Sequence, residues 1–558
     1  MANVPTAVMS FLNLYLPVLL VWFSEQVYRA LLERDSDHFL QQVQRRLDLK
    51  PLETACADFH HTHGPGTLPT HSVARLVRAL LVGYLYNWSL RELEWQIRFN
   101  LMVKWFVGYP LGASGPDHTT LARFEVWVCE RQHRLFFDTV LRQIDADFPS
   151  ERQHVQLGDT FALRANAGRE RLIRLIRHTC QCLLRALNQA RPDLTETIRT
   201  QLQGEALFGA PQELGEYWLD AAGCAARLEI TVLAARTCAD WVRDQLERPS
   251  AVAPEARRPI ELWLGHLEKI WADEVSLRVD PAGHAQHVSV ATVKGHYRLG
   301  SATDPDVTYR VHGTGETKSE LGYNVQVLTT DDFVREIQAN TGAQPDDQSI
   351  PQALQAQHDH HGLWPPKLIY DTAAGTGKTR ALVAQATGGQ TQLVSPLPAY
   401  EKRTPLFTPE VFTLSSDGAT LTCPNGQTTT LTYRSGSADG RMFHFFAHRC
   451  AGCPVWSRCR RQKVGSRAAR KVFISDYRAD VEAARAYNQT DDFRQDIRHR
   501  AVVERLIAGL VRYQGARQAR RRGQVKADFQ VKMAATAYNL KKWMQRLAGC
   551  DTVPGVLA

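Results

Sequence analysis

Apolar residues recur every three or four positions through residues 1–62, as at Val27, Leu31 and Leu32, which lays a single stripe along an α-helix. The run His63-Gly64-Pro65-Gly66-Thr67 is rich in turn residues and closes that segment. The helical period returns from Ser72 to about Phe148, over Val73–Tyr86, Ser89–Arg98, Leu101–Phe106 and Thr119–Val140. Ser89 followed by Glu92 reads as a capping box. Short helices with tight turns suit a helix-turn-helix module and a bundle equally. At His154 the period changes to alternation, predicting a strand with Asp159 near its middle or end. A helical stretch follows from Glu170 to Asp273, broken only around Pro211 and Pro249–Pro254. Strand texture returns at Tyr297–Leu299, Thr308–Val311 and Tyr323–Thr329, then in Lys367-Leu-Ile-Tyr-Asp371 and Gln392–Ser395. Residues 400–465 are turn-rich and strand-like, and from Tyr477 to about Leu547 the pattern is helical again.

The chain has 558 residues, 44% of them hydrophobic, enough for several domains with cores of their own. Its net charge of +9 is modest, but much of it falls between Arg498 and Lys542. A concentrated basic stretch points to a polyanionic partner, set against the plainer reading of a solvated helix face. The eleven cysteines form no regular secreted framework, which indicates a reducing compartment. The apolar stretch Phe11–Phe23 contains Pro17, is shorter than the roughly twenty residues of a spanning helix, and has no Lys or Arg before it. It is expected to be a buried helix of a soluble, cytoplasmic protein with no membrane association.

Two strand-terminal aspartates, Asp159 and Asp371, and a helical glutamate, Glu504, are the candidate chemistry. Metal-assisted phosphoryl transfer uses such hard oxygen ligands to hold two Mg²⁺ ions about 4 Å apart. Spacing alone does not bring the three together, because an acid at a strand end is more often a turn or cap residue.

Several motifs, taken in order, carry a resemblance. Asp159-Thr-Phe-Ala-Leu-Arg-Ala-Asn-Ala resembles the first-aspartate motif of bacterial insertion-sequence DDE transposases, most closely the group numbered eleven-eighty-two, although the glycine that follows the family's aspartate is Thr160 here. Ser301-Ala-Thr-Asp-Pro-Asp306 and Gly322-Tyr-Asn-Val-Gln326 resemble later strand motifs of that family, and Asp371-Thr-Ala-Ala-Gly375 stands where it has Asp-Ala-Gly-Tyr. Arg500 and Glu504 match the centre of a Tyr-x₂-Arg-x₃-Glu-x₆-Lys signature whose flanks are Ile497 and Val511 here. The segments Leu80–Glu94 and Gly115–Phe124 resemble the helical domain that precedes such catalytic cores.

The resemblance implies an α/β catalytic core, RNase H-like, with a mixed sheet flanked by helices, Asp159 on the first strand and Asp371 after the fourth. It also implies an all-α N-terminal domain, a helical insertion and a strand-rich insertion containing cysteines. The expected division is an N-terminal helical segment at 1–62, a helical DNA-binding domain at 63–150 and the start of the core at 151–169. Then come the helical insertion at 170–290, the core resumed at 291–399 and the cysteine-rich insertion at 400–470. The catalytic helix and a basic DNA-contacting region span 471–548, with a tail at 549–558. The implied activity is Mg²⁺-dependent cleavage and strand transfer of double-stranded DNA at the terminal inverted repeats of a mobile element, by a homodimer on DNA, with Mn²⁺ able to replace Mg²⁺. Asp159, Asp371 and Glu504 would be the metal ligands and Arg500 would orient the scissile phosphate. The rival is a transposase-derived DNA-binding protein whose catalysis has decayed.

Three further features bear on the chemistry. Cys423, Cys450, Cys453 and Cys459 favour structural zinc over free thiols, with Cys450-x₂-Cys453 as the tightest pair and His444 and His448 nearby. Gly375-Thr-Gly-Lys-Thr379 is not a Walker A loop, since position 372 is threonine. Lys378 and Arg380 are placed on DNA phosphate, against an equal alternative of a turn that simply opens a helix. Arg512, Arg517, Arg520, Arg521, Arg522 and Lys526 form a phosphate-neutralising cluster, with Tyr513 either stacking on an unpaired base or buried in the core.

Overall fold

The computed structural model describes residues 6–63, 70–198, 200, 205–208, 218–248, 252–279, 283, 285–290, 297–312, 318–398, 406–463 and 470–549. The turn expected at 64–67, the breaks at Pro211 and 249–251, and the tail from residue 550 lie outside the described residues.

A mixed sheet of six strands lies at the centre: β1 (Gln156–Arg164), β2 (Thr308–His312), β3 (Lys318–Thr329), β4 (Val334–Thr341), β5 (Lys367–Ile369) and β6 (Gln392–Val394). β1 pairs antiparallel with β3 on one side and parallel with β5 on the other, and β6 continues parallel to β5. β2 and β4 share the far edge of β3, β2 along residues 318–322 and β4 along 323–329. A tight turn, Thr330 N–H to Phe333 O at 2.9 Å, folds β4 back onto β3. The parallel strands need a crossover, and the helix Asp346–His361 supplies it between β4 and β5.

The expected strands at 308–311, 323–329, 367–371 and 392–395 are present, whereas Tyr297–Leu299 forms no strand. β4 was not anticipated, because it carries two charges in a fully buried stretch. Arg335 and Glu336 are both 0% exposed. Arg335 donates to both oxygens of Asp145, at 2.6 and 2.9 Å, and Arg134 grips Glu336 at 3.0 and 2.8 Å. Paired in this way, the charges can lie inside, where an unpaired charge could not.

The N-terminal helices are α1 (Thr6–Arg34), α2 (Val73–Leu85), α3 (Leu90–Phe99) and α4 (His118–Arg131), with shorter ones between. Ser89 caps α3 by accepting from the amide of Glu92 at 3.1 Å, but Glu92 accepts from Gln96 rather than reaching back, so the capping box is half formed. Side chains of residues 6–17 lie outside the described residues, while Val18–Phe23 are exposed by 47–64%. This corrects the expectation of a buried apolar helix. α1 is anchored only further on, where Ser24 Oγ accepts from the Leu111 amide and Tyr28 donates to the Tyr109 carbonyl. Among the described residues, no helix is long and apolar enough to cross a membrane.

Two helices close the fold: α5 (Ala501–Tyr513) and α6 (Gln524–Leu547). From Phe529 to Leu540 every residue of α6 is buried, as expected of a helix covered on all sides. Its Phe529, Met533, Leu540 and Trp543 sit in one core with Leu40, Leu52, Leu76 and Phe124 of the N-terminal helices. Its Val531, Ala535 and Tyr538 pack with Leu157, Val325 and Ile337 of the sheet. α6 is therefore the wedge that fixes the N-terminal helices against the sheet. Helices Leu172–Ala190, Ala221–Glu247 and Pro254–Glu274 hold a separate core, and short strands between residues 413 and 475 hold another.

Candidate active site

The register of the parallel pair places the two aspartates side by side. Leu157 is level with Ile369, so two residues further along each strand Asp159 lies level with Asp371. Parallel neighbours are about 4.8 Å apart, and residues two apart share a face. Both acids therefore project to the face on which Leu157 and Ile369 are buried. The intervening Gly158 points the other way, against Tyr370, whose ring would lie 2.6 Å from a Cβ there. Asp371 ends its strand by capping the next turn, accepting from the Ala373 amide at 3.0 Å.

α5 crosses the same face. Its Val503, Leu506 and Leu510 are buried in the core that contains Leu157 and Ile369, which leaves Glu504 at the rim, in the first turn. Arg500 begins the helix and spans the site: its guanidinium donates to Asp159 Oδ2 at 3.0 Å and to Glu504 Oε1 at 3.0 Å. Residues 341 apart in the chain thus meet through one side chain. Asp159, Arg500 and Glu504 form a direct cluster, and Asp371 adjoins it through its charge on Asp159.

Burial pushes the Asp159 carboxyl above its ordinary range; the Thr160 amide and Arg500 pull it back, and the Asp371 charge raises it again. The balance is of several acids facing too little positive charge. A hard cation is the natural complement to such oxygen donors. As the side chains stand, no group of three or more His, Cys, Asp or Glu among the described residues is drawn together tightly enough to hold a metal ion.

One member of the site was missed in the sequence. Asp346, at the start of the helix Asp346–His361, lines an open hollow of about 640 Å³ with Thr160, Arg310, Asp347 and Lys378. Its carboxyl is raised to about 6, first by burial, then by the charge of Asp371, with Arg310 opposing and Asp159 adding. Arg310 donates to the backbone and hydroxyl oxygens of Thr160 at 3.2 and 3.3 Å. Pro345-Asp346-Asp347 looks like an ordinary helix start, so nothing in the sequence separated Asp346 from a residue placed there for the helix dipole.

A pH effect follows. A carboxyl raised in the folded state favours the protonated fold, so its ionisation erodes stability as pH rises from about 4 to about 6, and the penalty is complete above that. Asp346→Asn should raise the melting temperature at pH 7.5 in chelator by the equivalent of on the order of 1–3 kcal/mol, with no gain at pH 4. Equal gains at both pH values would refute it.

Several of the residues expected to contact DNA have partners within the chain. Arg380 donates to the Leu393 and Ser395 carbonyls at 2.8 and 2.7 Å, clamping the end of β6, and Lys378 pairs with Asp347 at 3.4 Å. Thr376 caps the following helix, accepting from the Thr379 amide at 3.1 Å. Arg521 is bound to the buried Glu125 of α4, with Nε at 2.9 Å. Arg520 donates to Asn87 at 2.6 Å and lies 4.8 Å from the centre of the Tyr84 ring. Both arginines are occupied in tying the chain after α5 to the N-terminal helices. Arg512, Arg517 and Arg522 are exposed, Lys526 is half-buried, and Tyr513 is exposed rather than in the core. The Ser301–Asp306 motif anchors α6: Asp304 accepts from the Gly523 amide at 3.2 Å, and Asp306 from the Gln524 amide at 2.8 Å.

Away from the acids, Cys423, Cys450, Cys453 and Cys459 line one small cavity of about 20 Å³ together with Arg460 and Arg470. Two tight turns present them: Gly426 N–H to Cys423 O at 2.9 Å and Cys453 N–H to Cys450 O at 3.1 Å. Burial raises the thiols of Cys450 and Cys459. His444 and His448 are not among the residues lining that cavity.

Comparison with protein families gives two matches. Residues 422–544, which include α5 and Glu504, match a transposase DDE domain. Residues 29–126, the N-terminal helices, match a second transposase domain, DUF772. No curated protein and no solved structure matches the chain.

Proposed function

We propose that the chain, whose residues 29–126 and 422–544 match two transposase domains, is an insertion-sequence DDE transposase that binds the inverted repeats at the ends of a mobile element and catalyses their cleavage and transfer. The observation that carries this reading is Arg500 joined to both Asp159 and Glu504, beside Asp371. The strand order, with β1 central between antiparallel β3 and parallel β5, supports an RNase H-like core. The domain division drawn from the sequence and the eleven-eighty-two group belong to the same proposal.

Asp159, Asp371 and Glu504 would hold Mg²⁺, which when bound supplies charge neutralisation at the reacting phosphate and a more acidic attacking hydroxyl. Two in-line displacements are proposed. Water attacks a phosphodiester at the element's end, releasing a 3′-hydroxyl; that hydroxyl then attacks a target phosphodiester and expels another 3′-oxygen. The first step consumes one phosphodiester and leaves a 5′-phosphate beside the 3′-hydroxyl; the second makes one phosphodiester for the one it breaks, and neither needs a covalent protein–DNA link. Arg500, freed from its carboxylates, would grip the scissile phosphate through its planar fork. Exposed Arg512, Arg517 and Arg522 would neutralise the DNA backbone. The test is incubation of the full chain and Mg²⁺ with DNA carrying the element's ends. New 3′-hydroxyl ends joined to target are expected. Tight, end-specific binding without nicking in Mg²⁺ or Mn²⁺ would favour the decayed, DNA-binding alternative.

The cysteine cavity carries a second part of the proposal, structural zinc: two tight turns bring four thiols to the lining of one cavity, and thiolates are the donors zinc takes, although as the side chains stand the four are not drawn together tightly enough to hold an ion. Elemental analysis should find one zinc per chain, lost in Cys450→Ser with Cys453→Ser. A zinc-free, folded wild-type chain would return the four to ordinary thiols.

A further inference from the structure

α3 has an exposed face that neither the active site nor the core uses. Arg91, Trp95, Arg98 and Phe99 fall on one side of the helix, while Leu93 and Ile97 on the other side are buried. Trp95 is 54% and Phe99 60% exposed. Their ring centres are 5.3 Å apart, and the Arg98 guanidinium lies 5.7 Å from the Phe99 ring. The two glutamates of the helix are turned to partners, Glu92 accepting from Gln96 at 2.8 Å and Glu94 paired with His118 at 2.7 Å. The two arginines of α2 are engaged elsewhere, Arg75 at the Gly108 carbonyl and Arg78 at Gln44. The face thus combines two large rings with two exposed cations.

An occupant must supply flat π-surfaces and negative charge together. Duplex DNA supplies the charge but hides its base faces in the stack. A second copy of this face would set Arg91 and Arg98 against their own equivalents. Unpaired nucleotides supply both, because any base can stack on an aromatic ring while its phosphate meets an arginine. The placement agrees. The turn before α3 holds Asn87, which accepts from Arg520, and the Arg520 carbonyl in turn accepts from Asn166 at 2.9 Å, just beyond the strand that carries Asp159.

We infer that this face of α3 binds unpaired nucleotides at a DNA end, Trp95 and Phe99 stacking on bases and Arg91 and Arg98 pairing with phosphates. The inference rests on the transposase reading for its supply of DNA ends. All four side chains are exposed, so replacing them leaves the core intact.

The test uses the full chain and fluorescence anisotropy with three labelled probes: a blunt duplex, the same duplex with a short single-stranded tail, and one with an abasic tail. The wild type should prefer the tailed probe over the abasic one by about 10-fold, given the usual strength of base–aromatic stacking. Trp95→Ala with Phe99→Ala should erase that preference while changing blunt-duplex affinity less than about 2-fold. Arg91→Gln with Arg98→Gln should weaken tailed and abasic probes alike and flatten the salt dependence. An unchanged tail preference in the double alanine variant, or none in the wild type, overturns the inference. So does a shift in the sedimentation mass of the DNA-free double alanine variant, which would make the face a contact between copies. A wild type that binds none of the probes would instead overturn the transposase reading itself.

Discussion

Asp159→Asn, Asp371→Asn and Glu504→Gln should each lower end cleavage by about 10³-fold or more while leaving affinity for the same DNA within about 3-fold. Asp159 lies on β1, Asp371 lies just past the end of the parallel neighbour β5, and Glu504 is joined to Asp159 through Arg500. Metal-held stabilisation of a phosphoryl transition state is worth several kcal/mol, and each 1.4 kcal/mol is tenfold in rate. Binding is expected to rest on other groups, since on the proposed reading backbone contacts would come from exposed arginines outside the trio. Arg500→Lys should cost less, about 10–10²-fold, because lysine keeps the charge but loses the two-pronged geometry. Cleavage and binding assays on one labelled substrate decide it. Wild-type cleavage in any carboxylate variant, or equal loss of binding and cleavage, would remove that residue from the chemistry. Glu504 is the most informative of the three: its side chain is 60% exposed, so its replacement cannot act by disturbing a core.

The largest stability effect is expected at Asp145→Ala. Arg335 is fully buried on β4, and Asp145 meets both of its terminal nitrogens. Removing the carboxylate leaves an uncompensated charge inside, a loss of about 3–5 kcal/mol. Asp145→Ala combined with Arg335→Met should recover most of it, since both charges are gone and a side chain of similar reach fills the space. Urea denaturation of the wild type, the single variant and the double variant makes the comparison. A double variant as weak as the single would mean that the site needs the arginine for more than charge balance. Glu336, next along the strand and held by Arg134, gives an independent repeat with Glu336→Ala.

These two sites also show how much could be read in advance. Strands β1, β2, β3, β5 and β6 were legible from their apolar runs, with Asp159 inside the first and Asp371 just past the end of β5. β4 was not legible: Arg335 and Glu336 look like surface residues until Asp145 and Arg134, far off in the chain, arrive to pair with them. The charge clusters depend on distant partners in the same way. Arg520 and Arg521 read as phosphate contacts, but Glu125 and Asn87, nearly 400 residues or more earlier, take both. Arg380 likewise has its hydrogen bonds taken by two backbone carbonyls.

Sequence alone determined the local things: the helical and strand periods, the cap at Ser89, the ordered motifs, and the residue types able to hold a hard cation. Those depend on near neighbours, whose spacing the chain itself dictates. Only the tertiary structure decided which charges are buried and paired, that Asp346 joins the acids, that α6 binds the N-terminal helices to the sheet, and that Trp95 and Phe99 are left exposed. The physical reason is that burial and ion pairing are properties of partners distant in the chain, and the cost of a buried charge changes sign once its partner is in place.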